Sequence, residues 1–288
     1  MFDLFANAIV AGVLLGGLYA AVTVGLSIAF GMLDVVNIAH PAFVLLGSFL
    51  AYWFNDRLGF DPILVGVMLA PAFFVLGAIV YRIYYEAFEK RSKESLRGLA
   101  FFFGILFVTE VGLIIAFGVD YRLVHTDYLR TTYSVAGIGF PLRLVVPFLA
   151  SLLMITALHL LLNRSFFGRA VKAVSQDALA LRLVGANPVK IKRIGFALSI
   201  ATTSVAGALL ILVAPVQPSS AREFIGRMFA ICVLGGMSSL PGTIIASLIL
   251  GVAESLTSTF YGPSWSPAVA FGFLLCVLAW RPAGLLGR

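Results

Sequence analysis

Residues 25–53 read GLSIAFGMLDVVNIAHPAFVLLGSFLAYW, and the way polarity is distributed along this stretch decides the fold. Apolar residues run almost without pause from 6 to 54, and one crossing of the hydrocarbon core takes about 20 of them. Asp34, Asn37, His40 and Pro41 interrupt the run in its middle. The stretch therefore reads as a membrane helix, a short polar break, and a second apolar helix.

The rest of the chain has the same character. Of its 288 residues 61% are hydrophobic and 11% charged, with a mean hydropathy of +1.04, whereas soluble domains carry about 25% charged residues. A water-soluble globule is excluded. The polar stretches lie between apolar runs, so residues 1–288 are expected to form a single membrane domain. Candidate spans fall at 6–31, 40–55, 62–85, 98–119, 141–162, 194–214, 225–238, 242–259 and 264–280. The expected fold is an all-α polytopic membrane protein of about nine spans, or eight to ten if the shorter segments are re-entrant halves. The opening MFDLFANAIVAG lacks a basic leader region and reads as a retained first helix.

Cys232 and Cys276 sit in apolar segments without ligand-like spacing, so neither a metal site nor a disulfide framework is expected. The net charge of +7 does not point to nucleic acid, because the basic residues concentrate in two loops, where they orient insertion. One loop, 82–97, carries Arg82, Lys90, Arg91, Lys93 and Arg97; the other, 164–193, carries Arg164, Arg169, Lys172, Arg182, Lys190, Lys192 and Arg193. Both are expected in the cytoplasm, with the C-terminal tail bearing Arg281 and Arg288 on the same side. The opposite loops carry Asp56, Asp61, Asp120, Asp127 and Glu223.

A second break matches the first in outline. Phe229 to Ser255 reads FAICVLGGMSSLPGTIIASLILGVAES, with Gly235, Gly236, Ser238, Ser239, Pro241 and Gly242 as the interruption. Two broken, Gly/Pro-rich segments in pseudo-repeated halves are the arrangement in which broken helices meet at a substrate path. Non-helical backbone at membrane depth is tolerated only where protein buries it or it lines a wet cavity. At the membrane surface the same residues would make ordinary tight turns, so depth decides between the two. Small residues at Gly12, Gly16 and Ala20, at Gly47 and Ala51, and at Ser247 and Gly251 recur at helical spacing and favour close helix packing.

The segment from Asn163 to Leu198 is too polar to span. From Arg169 to Leu183 the apolar residues Val171, Val174, Ala178 and Leu181 keep a helical period. The expectation is a short amphipathic helix ended by Gly185 in the left-handed conformation, with Asn187 and Pro188 just beyond. Such a helix suits either a groove on a soluble partner or an anionic lipid surface.

At this loop the chain becomes specific. AVSQDALALRLVGANPVKIKRIGFALSIATTSVAGAL (173–209) resembles the coupling segment of the permeases of branched-chain amino acid ABC importers of the Liv type. NIAHPAFVLLGSFLA (37–51) is similar to that family's Asn-x-Ala-His-Gly signature, and VLGGMSSLPGTIIASLILGVAES (233–255) to its Gly-Gly-x-Gly-Ser-x-x-Gly signature. GGLYAAVTVGLSIAFG (16–31) and WRPAGLLG (280–287) extend the likeness over most of the chain. The resemblance implies a bacterial inner-membrane importer subunit forming half of a translocation path. It places Asn37 and His40 beside that path, with Asp34, Pro41, Gly235, Gly236, Ser238, Ser239 and Gly242 as its other candidates. Ala180 and Gly185 fall in the element that couples to a cytoplasmic ATPase, flanked by Arg169 and Asn187. The implied partners are a second, related permease, two ATP-binding subunits and a periplasmic substrate-binding protein. Pro41 and Ser238 stand where the family has Gly, at positions where selection among branched-chain or other amino acids, amides, urea and small organic acids could be altered.

No phosphate-binding G-x-x-x-x-G-K-[ST] loop occurs, so ATP is expected on partner subunits, and no cofactor is expected on this chain. The alternative is a secondary transporter with Asp34, Glu110 and Glu254 as proton or cation sites. An intramembrane enzyme is disfavoured, because His40, His125 and His159 fall in separate regions.

Overall fold

A computed structural model describes residues 1–91, 95–135, 137–280 and 284–286. Lys93, Arg281 and Arg288 of the basic segments lie outside the described residues. Every expected span contains a helix. The first half comprises α1 (Phe2–Leu26), prolonged by a π-helical turn over Ser27–Met32, then α2 (His40–Leu58), α3 (Pro62–Ala87) and α4 (Ser95–Phe117). A middle section holds α5 (Leu142–Arg164), α6 (Phe166–Gln176) and α7 (Ala178–Leu183). The second half comprises α8 (Pro188–Val213), α9 (Ala221–Gly235), α10 (Leu240–Tyr261) and α11 (Ser266–Trp280).

Among the described residues, seven helices are long and apolar enough to cross a membrane. The expected spans 40–55 and 225–238 are not among them: α2 has 19 residues and α9 has 15. These two short helices occupy matching places. In the first half α2 follows α1 and in the second α9 follows α8, while α1 lies along α10 and α3 lies along α8. The halves are thus related by exchange, and by element order the counterpart of the first break is the connection 214–220 before α9.

Glycines set both close pairings. A Cβ on Gly12 would stand 2.6 Å from the Val252 Cα, and one on Gly16 2.8 Å from the Leu248 Cα, so α1 and α10 touch backbone to backbone. On α3, a Cβ at Gly77 would stand 2.8 Å from the Ile200 Cβ of α8. Where lipid offers no hydrophobic drive for helices to associate, this close van der Waals fit is what holds them. Ser48 and Ser204 add hydrogen bonds, at 2.7 Å to the Gly207 carbonyl and 2.9 Å to the Gly66 carbonyl.

The helix ends are written in the sequence. Gly59, with φ 69°, ends α2, and Asp61 begins α3 by accepting from the Ile63 and Leu64 amides. Tyr128 donates to the second oxygen of Asp61 at 2.6 Å; burial and this bond push its phenol up to about 12 and pin the loop that follows α4. That loop also contains a small antiparallel hairpin, β1 (Thr132–Val135) with β2 (Ile138–Pro141), turning at Gly137 with φ 82°. This hairpin departs from the all-α expectation, its strands being four residues each and too short to leave an alternating pattern. At the other face of the molecule Lys192 bonds Glu89 at 2.8 Å, joining the two basic segments; this face is called the basic side below.

The amphipathic helix expected from Arg169 to Leu183 is two helices. α6 starts earlier, at Phe166, because Ser165 caps it by accepting from the Gly168 amide at 2.9 Å. It ends where Asp177 takes an extended conformation and accepts from the Leu179 and Ala180 amides, starting α7. An Asp that caps a new helix competes with continuation of the old one, a signal that apolar periodicity does not carry.

Candidate functional site

The first break spans 33–39. Its depth follows from what surrounds it: Leu33 packs at Gly195, near the basic end of α8, whereas His40 stands against Gly25 beside Thr202, close to the midpoint of α8. α2 therefore starts inside the membrane, about 10 Å above the basic interface at 1.5 Å per residue. Asn37 and His40 are fully buried. The Asn37 side-chain oxygen accepts from the Ala39 amide at 3.1 Å, turning the chain into α2, and Pro41 fills the first turn, where no amide is needed. His40 Nε2 lies 3.3 Å from the Val22 carbonyl, so this nitrogen carries the proton in the neutral ring. That leaves His40 Nδ1, Asn37 Nδ2 and, next to Val22, Thr23 Oγ1 buried without a protein partner. An unpaired buried polar group costs about 1–3 kcal/mol, so each of these groups is held against the protein's own stability.

Asp34 differs from its neighbours. It is exposed, and it holds φ 57°, a left-handed conformation that Asp tolerates better than most residues. It turns the chain; it is not sealed with Asn37 and His40.

The second break, 236–239, is built differently. Gly235 and Gly242 face each other so closely that neither has room for a Cβ. Gly236 turns with φ 93°, and Ser239 starts α10 by accepting from the Gly242 amide at 3.1 Å. Ser238 is exposed. Residues 284–286 run back over this break: the Leu285 amide donates to the Leu234 carbonyl at 2.8 Å and the Leu286 amide to the Gly235 carbonyl at 3.3 Å, satisfying the open end of α9. Nothing in the composition or spacing of the tail marks this bracing, which depends on a contact some fifty residues back along the chain.

The two breaks meet. Gly31, in the π-helical turn, packs on the Met237 peptide with no space for a side chain, and Ser27 bonds Thr243 at 2.8 Å. π-helical turns concentrate at functional sites. Beside the junction a cavity of about 430 Å³ opens, lined by Met32, Ser238, Ser239 and Pro241 together with His159 of α5 and Lys172 of α6. It connects the second break to the α6 element.

In that element Arg169 and Ala180 are exposed. Gly185 has φ 83°; its amide donates to the Arg182 carbonyl at 3.0 Å and the Ala186 amide to the Leu181 carbonyl at 3.1 Å, the two bonds of a Schellman cap. Asn187 then starts α8 by accepting from the Lys190 amide at 3.2 Å. α7 buries none of its residues, and Leu179, Leu183 and Val184 are 67%, 82% and 78% exposed.

Glu110 and Glu254 are both engaged. Arg222 grips both oxygens of Glu110, at 2.7 and 3.2 Å. Arg227 holds Glu254 at 2.9 Å, and Tyr19 donates to its other oxygen at 2.6 Å. Neither arginine stands out in the sequence, because pairing between helices leaves no local spacing. Among the described residues no group of three or more His, Cys, Asp or Glu side chains could hold a metal ion.

A family model described as the permease component of a branched-chain amino acid transport system matches residues 8–278. The chain is 27% identical to the high-affinity branched-chain amino acid transport system permease protein BraD of Pseudomonas aeruginosa, over 99% of this chain and 96% of that one. It is 28% identical to the permease protein LivH of the corresponding Escherichia coli K12 system, over 100% of this chain and 97% of that one. To the permease protein LivM of the same organism it is 27% identical, over 93% of this chain and 68% of that one. No solved structure matches.

Proposed function

Because the chain belongs to the family of branched-chain amino acid transport permease components, we propose that it is one of two permease subunits of an ATP-driven importer in the bacterial inner membrane. The basic side faces the cytoplasm. Asn37 and His40 line the path at its buried, first-break end, and Ser238 and Ser239 at its open, second-break end. The cargo is a small solute: branched-chain or other amino acids, amides, urea or small organic acids. Pro41 and Ser238 are positions where selection among these is set. ATP binds to two partner subunits, and a periplasmic protein delivers the solute.

One observation carries this reading: α7 is a short helix with an unburied apolar face, rigidly ended by Gly185, on the side where the basic residues gather. An apolar helix presented outside the spans is suited to a groove on a soluble protein. α6, which precedes it, lines the cavity at the second break, so force applied at α7 has a short physical route to the path. The ion-coupled alternative is weakened by the arginines on Glu110 and Glu254, since a carboxylate that carries a proton or cation must be free to exchange partners.

The test is reconstitution of the complex in proteoliposomes. Uptake is expected with ATP and the ATPase subunits present, and none on a proton or sodium gradient without them. Uptake by this chain on an ion gradient alone would overturn the proposal.

A further inference from the structure

Charge is exposed on this protein at a depth where lipid cannot receive it. Arg222 leaves 57% of its side chain exposed although it is bonded to buried Glu110, and Glu223, the next residue, is exposed as well. Two rulers give the depth. At 1.5 Å per residue, Glu110 lies about 10 Å below the Phe117 end of α4. By the same measure Glu254, which holds Arg227 on the following turns of α9, lies about 10 Å below the Tyr261 end of α10. The first turns of α9 are therefore inside the hydrocarbon layer.

From there to the second break α9 is half-buried to buried, its Gly226 lying against Phe271 of α11. Phe229, packed on Phe30 with ring centroids 5.5 Å apart, is partly exposed in its middle. At its end, at the basic edge, Met237 is 43% exposed. An exposed charge inside the hydrocarbon layer is costly unless protein or water receives it. The faces suited to lipid lie elsewhere: α5 exposes Leu149, Leu152 and Leu153, and α3 exposes Val67, Met68 and Val75.

The geometry points to the strip of α9 from Arg222 to Met237, with Phe107 of α4 beside it, as the surface that meets the second permease, a chain of this same fold. This rests on the two-permease reading above. Adjacent Arg222 and Glu223 carry opposite charges, and a partner of this fold with the same pair at these positions would set Arg against Glu under a two-fold rotation. The pairing closes each chain's second break against its partner, so the path runs between the two chains, with polar groups where the strip is wet and aromatic rings where it is dry.

The test is photo-crosslinking in native membranes of the assembled complex, with p-benzoylphenylalanine placed singly at Phe107, Phe229, Leu153 or Val67. Crosslinks from Phe107 and Phe229 to a permease chain of this family, identified by mass spectrometry, are expected, with none from Leu153 or Val67. Glu223→Arg should abolish the Phe229 crosslink while the chain still inserts. Crosslinks to a permease from Leu153 or Val67 alone would leave the pairing standing and overturn this surface. Crosslinks to a permease from no position would overturn the two-permease reading itself.

Discussion

The two breaks join at Gly31 and Met237, yet they solve opposite problems. The first runs from the basic edge at Leu33 to about 10 Å inside the membrane at His40 and keeps Asn37 and His40 fully buried with polar atoms unpaired. The second lies at the basic edge, where Gly236 turns the chain, Ser239 caps α10 and residues 284–286 satisfy the end of α9. One break is polar, deep and under-satisfied, and the other is shallow and fully braced. A site whose groups wait for partners has something to bind, whereas a braced junction transmits movement. The sequences of the two breaks look alike; the difference lies in depth and in what comes to meet them.

The hardest blow to the comparison is dealt at the point of contact. A Cβ at Gly31 runs into the Met237 peptide, and backbone cannot yield as a side chain can. Overpacking costs about 1–3 kcal/mol where neighbours can shift, so Gly31→Val should lie at the upper end or beyond. The purified complex is expected to melt at lower temperature and to lose ATP-driven uptake. Wild-type melting and uptake together would mean that the breaks do not press on each other.

The next test separates the breaks by the sign of the effect. His40→Phe removes an unpaired nitrogen and costs only a long contact with a carbonyl already inside a helix, so stability should hold while uptake falls. Thr23→Val, which removes an unpaired hydroxyl, should stabilise by about 1 kcal/mol. If both variants destabilise, these atoms have partners and the first break is ordinary packing. A cysteine at position 40 should react with a water-soluble thiol reagent during turnover; protection in every transport state would remove His40 from the path.

Much of this was legible in the residues. Apolar run lengths located each of the seven described helices long and apolar enough to cross a membrane, because hydrophobic thickness constrains them directly, while two of the nine expected spans fall short of it. The Gly185 stop was legible because Gly followed by Asn-Pro leaves a helix few ways to continue. The conjunction of breaks was foreseen in outline, but the contact of Gly31 with Met237 was not, because close approach depends on a neighbour two hundred residues away. The Arg222–Glu110 and Arg227–Glu254 pairs, 112 and 27 residues apart, were hidden because each joins two helices and leaves no spacing within one. Local rules also misled at Asp177, where a capping side chain divided what periodicity drew as one helix.

The smallest expected effect comes from Gly185, and Asp34 calibrates it. Asp34 shows that this chain holds an Asp at φ 57°, and nothing lies within 4 Å of a Cβ built at Gly185, whose φ is 83°. Gly185→Asp therefore meets no clash and should leave insertion and melting near wild type. Gly185→Val places a β-branched residue in the left-handed region, at about 1–2 kcal/mol, and should loosen the cap that fixes the direction of Leu183 and Val184. Recovery of the ATPase on co-purification is expected to fall more for Val than for Asp, with insertion unchanged in both. Equal, undiminished recovery would show that the α7 cap takes no part in docking. Equal loss would show that the added side chain, and not the left-handed turn, is what the partner cannot accept.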